Sequence, residues 1–109
     1  MIGSSTLSPF SEAHEVERTV DVVANLGGQP ETVRIEALRD LKASTPTYST
    51  RAYILQHVRL ETTRARSGME GLQTERLWLV FDLPWTSRVT ADEAIEQALR
   101  YLDERQARP

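Results

Sequence analysis

Arg51, Tyr53, His57 and Arg59 fall at alternate positions of a single stretch, R-A-Y-I-L-Q-H-V-R, with Leu55 between them. On an extended backbone alternate residues share a face. An imidazole, a phenol and two guanidinium groups would then stand together, an arrangement suited to a small anion. For His57 to act as a general base it would need a carboxylate or carbonyl to set its tautomer. Asp82, on a later apolar run, is the carboxylate that the alternation offers. A plain sheet-face histidine, with arginines exchanging ion pairs between neighbouring strands, accounts for the same residues and carries more weight.

A second group lies in D-L-P-W-T-S-R, residues 82 to 88, where Trp85 and Arg88 stand just before Thr90. If a helix starts at Thr90, its free N–H groups together with Arg88 could hold a carboxylate or phosphate. The simpler reading has Trp85 closing the end of the core and Arg88 in water, and it is the stronger one. The ligand-binding candidates are therefore Arg51, Tyr53, His57, Arg59, Trp85 and Arg88, with no catalytic residue assigned. Arg64 and Arg66 could join such a site or simply keep their segment soluble.

Most other chemistry is excluded by what the chain lacks. It has no cysteine, so disulfides, thiol catalysis and cysteine-ligated metals are out. His14 and His57 have no H-x-x-x-H spacing, and no metal is expected. Gly27-Gly28 lacks the G-x-G-x-x-G pattern, and no serine sits in a G-x-S-x-G elbow. No cofactor is expected, and the balance leans away from an enzyme. A net charge of −3 gives no support to nucleic-acid binding. Stacking of single strands on Tyr53 and Trp78 beside the arginines is the weakest reading, set against an acidic first third. No run approaches eighteen apolar residues, and M-I-G-S-S-T-L-S-P-F has no basic start, so neither a membrane span nor a signal peptide is expected. A cytoplasmic location fits the cysteine-free composition.

The elements that would position these residues follow from periodicity. The alternation from Tyr48 to Leu60 is that of a strand. R-L-W-L-V-F-D-L-P-W, from Arg76 to Trp85, reads as a further strand that ends at Pro84. Leu77, Leu79, Phe81 and Leu83 share one face, with Trp78 and Val80 on the other. Because both faces are apolar, a central strand is expected, with Leu77, Leu79 and Phe81 in the core.

Thr90 and Glu93 form a capping box for an amphipathic helix. Its stripe is Ala91, Ala94, Ile95, Ala98, Leu99 and Leu102, with a Glu96–Arg100 pair on the wet side. Val16, Val20 and Val22 at period two suggest a strand over 16–25, and Gly27-Gly28 a turn. Residues 31–42 are ambiguous: a strand over 32–39 is favoured, but Pro30 with Val33, Ala37, Leu38 and Leu41 also fits a helix.

At 109 residues one domain is expected. It comprises a lead-in over 1–12, a domain over 13–107 and a long loop over 61–75 within it. The expected fold is α+β: a mainly antiparallel four-stranded sheet with the C-terminal helix packed on one face. Tyr53, Leu55, Trp78 and Val80 would occupy the other face. That face would be covered by an N-terminal helix, by a second copy or by another protein, and dimerisation is the preferred answer. The expected role is a non-enzymatic interaction or accessory domain; the alternative is a small anion-binding protein or enzyme around His57.

Overall fold

Two consecutive glycines settle the ambiguous stretch over residues 31–42. Gly27 and Gly28 both have positive φ, 61° and 81°. That backbone is the two-residue hairpin turn whose twist matches a pair of antiparallel strands. Leu26 pairs directly with Gln29 across it. Residues after the turn are thereby committed to a strand, and Pro30 is accommodated near its start rather than in a helical first turn.

The computed structural model describes residues 4–61 and 72–106. A one-turn helix α1 (Ser4–Leu7) precedes four strands, β1 (His14–Leu26), β2 (Gln29–Asp40), β3 (Tyr48–Glu61) and β4 (Leu72–Phe81), and helix α2 (Ala91–Arg105) closes the order. The strands form one antiparallel meander in the order β1-β2-β3-β4. The expected α+β architecture is therefore present. β3 reaches Glu61 and β4 begins at Leu72, so the ends of the expected 61–75 loop belong to strands. Its remainder, with Arg64 and Arg66, lies outside the described residues.

The core sits between α2 and one face of β1–β3. Val22, Val33, Ile54 and Leu79 form one row across the sheet, and Val20, Ile35, Ala52 and Phe81 the next. Onto these rows α2 lays Ala94, Ile95, Ala98 and Leu102, all buried. Ala94 and Ala98 present only a methyl group, which lets the helix axis approach the sheet. Both helix ends are tied to β1: Arg18 pairs with Asp92 in the first turn, and the Asn25 N–H donates to Gln106 Oε1 at 3.0 Å beyond the last.

Thr90 caps α2 in extended backbone, its Oγ1 accepting from the Glu93 N–H at 3.1 Å. Asp92 and Glu93 add negative charge at the positive end of the helix dipole. The expected Glu96–Arg100 pair is present at 3.5 Å. Replacing Thr90 by Ala orphans a first-turn donor and should cost about 1 kcal/mol. A urea midpoint unchanged by Thr90→Ala would show that water replaces the cap at no cost.

Three expectations fail, each for an identifiable reason. First, β4 is an edge strand and not a central one. Leu77 and Leu79 lie on the helix face yet are 41% and 44% exposed, because α2 packs over β1, β2 and β3 and leaves β4 bare. Only Phe81, beneath the Arg105 guanidinium at 5.4 Å, is partly buried against the core. Second, a bulge between Val16 and Arg18 inserts one residue into β1. It inverts the parity, so Val16 does not share a face with Val20 and Val22. Third, Trp85 does not close the core: it is 75% exposed, and Thr86 is buried instead, its hydroxyl 2.9 Å from that of Thr50.

The domain is flat, with extents of 58 × 44 × 18 Å and a radius of gyration of 18.5 Å. A compact chain of this length would measure about 13 Å. One helix on one side of a four-stranded sheet leaves much of the sheet uncovered.

Candidate functional site

The sheet face away from α2 is built from rows fixed by strand register. Asp21, Arg34, Tyr53 and Val80 form one row, and Thr19, Glu36 and Arg51 the next. Leu55 pairs with Trp78 and His57 with Arg76 on the same side. Alternation thus brings together the side chains expected on this face, Tyr53, Leu55, Trp78 and Val80. Val80 is 81% exposed, while Tyr53 and Leu55 are half-buried. No strand makes substantial contact with α1, so that helix does not cover the face.

Arginines lie flat across this surface. Arg34 holds Asp21 through two hydrogen bonds, Nε to Oδ1 at 2.9 Å and Nη2 to Oδ2 at 3.0 Å, and its guanidinium stacks 4.2 Å from the Trp78 ring centroid. Arg51 reaches Glu36 at 3.4 Å and lies 6.0 Å from the Tyr53 ring. The cross-strand ion-pair reading therefore holds for Arg51. An Arg51 already satisfied by a carboxylate is a poorer anion ligand than a free one. The Arg34–Asp21–Trp78 cluster escaped the sequence reading, because it joins three strands and no local spacing reports it.

The anion candidates are only partly brought together. Arg51, Tyr53 and Trp85 line a shallow hollow of about 200 Å³, along with Asp82 and Val80. His57 stands exposed farther along β3, opposite Arg76. The side chain of Arg59 lies outside the described residues. Arg88 belongs elsewhere, bridging backbone to backbone with Tyr48 at 2.8 and 3.0 Å. The hollow beside it is lined by Glu93, Glu96, Gln97 and Arg100, whose two carboxylates oppose an anion at the helix N-terminus. A larger open hollow of about 470 Å³ at the β1–β2 end, walled by Glu15, Arg39, Asp40 and residues 41 and 43–46, was not foreseen; it mixes both charges. Among the described residues no cluster of His, Asp and Glu could hold a metal, and no helix is long and apolar enough to cross a membrane.

Two groups carry charge-linked consequences. Arg34 holds the Asp21 carboxyl below its ordinary range, chiefly through hydrogen bonding. A carboxyl with a lowered folded-state pKa contributes stability above the unfolded value and loses it as pH falls through the folded one. Tyr48 is the opposite case. Its hydroxyl donates to Glu17 Oε1 at 3.2 Å, which favours the neutral phenol and pushes its pKa above the ordinary tyrosine value. The Tyr48 contribution is complete below the unfolded tyrosine pKa and is lost as pH rises through the folded value. Asp21→Asn should flatten the acid limb of a stability–pH curve and Tyr48→Phe the alkaline limb. Limbs unaltered by these substitutions would contradict the assignments.

The two edges of the sheet differ sharply. β1 carries Glu15, Glu17, Arg18 and Asp21 and a bulge, the usual guards of an exposed edge. β4 runs L-W-L-V-F from Leu77 to Phe81 with no charge, no proline and no register shift. Four of those five side chains are exposed, on both faces of the strand. No protein-family model, no curated protein and no solved structure matches the chain.

Proposed function

We propose that this chain is a non-enzymatic interaction domain that works as a dimer or as a subunit, through the part of its sheet that α2 leaves uncovered. The observation that carries the reading is β4, an edge strand whose Leu77, Trp78, Leu79 and Val80 are all exposed. Unpaired backbone groups flanked by apolar side chains on both sides invite another chain. The accessible surface of 8062 Å² points the same way. A compact monomer of this mass exposes about 6100 Å².

The anion-site alternative rests on less. Its residues are dispersed over two hollows and an exposed strand position, and Arg51 is already paired.

Light scattering during gel filtration tests the proposal. The expected mass is a multiple of 12.4 kDa, with Trp78→Asp shifting the population towards monomer while preserving the helical circular dichroism signal. A wild-type protein that stays monomeric at the highest soluble concentration, and whose β4 surface captures no other chain, would sink it.

A further inference from the structure

We propose that the occupant of the β4 edge is β4 of a second copy, paired antiparallel about a twofold axis through Leu79 to give a continuous eight-stranded sheet. This inference rests on the interaction reading above and names its partner and register.

The charges at the two ends of the apolar run select that partner. Arg76 precedes L-W-L-V-F and Asp82 follows it, three residues on either side of Leu79. Antiparallel self-pairing centred on Leu79 sets Arg76 opposite Asp82 of the second copy, and Asp82 opposite its Arg76. Both side chains are exposed, and neither forms an ion pair with any described residue. A parallel arrangement in register would place like charges side by side, which is destabilising. Slipping the pairing by one residue would put the two helices on opposite faces of the joined sheet and break the twofold. Slipping it by two, which recentres the pair on Trp78 or Val80, would break both Arg76–Asp82 contacts.

The apolar pairs agree with the same register. Trp78 meets Val80 of the copy twice, an aromatic–branched pair of the kind that stabilises sheets. Leu77 meets Phe81 twice, and Leu79 meets itself. Leu77 and Leu79, bare in the single chain, thus gain neighbours on the helix side, and Trp78 and Val80 gain them on the other. Such a contact is self-complementary, as a twofold interface must be.

The absence of native cysteine makes a direct test possible. Directly opposed residues of an antiparallel pair have Cα atoms about 4.5 or 5.5 Å apart, and both distances admit a disulfide. Leu79→Cys should give a covalent dimer on mild oxidation, at least tenfold faster than Val23→Cys, an exposed position on the opposite edge. Charge exchange supplies an independent readout. Arg76→Asp and Asp82→Arg should each weaken the dimer several-fold, and the double variant should recover most of the loss. A dimer in which Leu79→Cys links no faster than Val23→Cys, and in which the double exchange restores nothing, would overturn this register and leave the broader interaction reading standing. A protein that is monomeric and binds no other chain would overturn both.

Discussion

Ile35→Ala is expected to lower the unfolding free energy by about 2–5 kcal/mol. Ile35 is fully buried at the centre of β2, between Val20 and Ala52 in its row and beneath α2. Removing its outer carbons leaves a cavity that Ala52 beside it and Ala98 in the same core cluster are too short to fill. A domain of this size has about 5–15 kcal/mol to lose, so the variant should unfold at a much lower denaturant concentration. The informative comparison is Leu79→Ala. Leucine and isoleucine have similar apolar content, but Leu79 is 44% exposed on an edge strand whereas Ile35 is fully buried. Measured well below the dissociation constant, Leu79→Ala should cost only a small fraction of the Ile35 value. Equal losses at the two positions under those conditions would mean that β4 is covered within the single chain.

Ala98→Leu is expected to destabilise by about 1–3 kcal/mol in the opposite way, by overfilling. Ala98 is fully buried where α2 meets the sheet, and Ala94 is buried one turn earlier. A leucine at 98 would have to lift the helix or push side chains from their preferred rotamers. Lifting the helix would also strain its ties to β1, Arg18–Asp92 at one end and Asn25–Gln106 at the other. Chemical denaturation of Ala98→Leu against Ala98→Gly separates the two causes, since glycine weakens the helix without adding volume. A leucine variant as stable as the wild type would mean that the helix stands farther from the sheet than described.

Local chemistry made several elements legible. The alternation through β3, the Thr90 cap and the alanine-rich stripe of α2 each specify an element without help from distant residues. The Gly27-Gly28 turn decides β2 only once its positive φ values are known, which is why P-E-T-V-R-I-E-A-L-R-D-L kept two readings. The place of β4 in the sheet was not legible. Apolar residues on both faces mark a strand that has apolar neighbours on both faces, and period two alone does not say whether those neighbours flank it on both sides within one chain or leave it at the edge. The β1 bulge has no compositional marker, since V-E-R carries no glycine or other breaker. Trp85 is exposed and Thr86 buried because Pro84 ends the alternation, and beyond it period two no longer predicts direction. On the candidate site, alternation grouped Tyr53, Leu55, Trp78 and Val80 correctly. Arg34 stacking on Trp78 was hidden, because it depends on three strands being neighbours.

β4 is the proposed place where a second chain adds to the sheet. Hydrogen exchange of the amides from Arg76 to Asp82, followed across a hundredfold dilution, reports on it most directly. Within β4 alternate amides face β3 and should be protected throughout; the intervening ones point away from the sheet. The account predicts that the outward set is protected at high concentration and exchanges freely on dilution, in step with dissociation. Outward amides that exchange at unprotected rates at every concentration would contradict it, since no strand could then be paired along that edge.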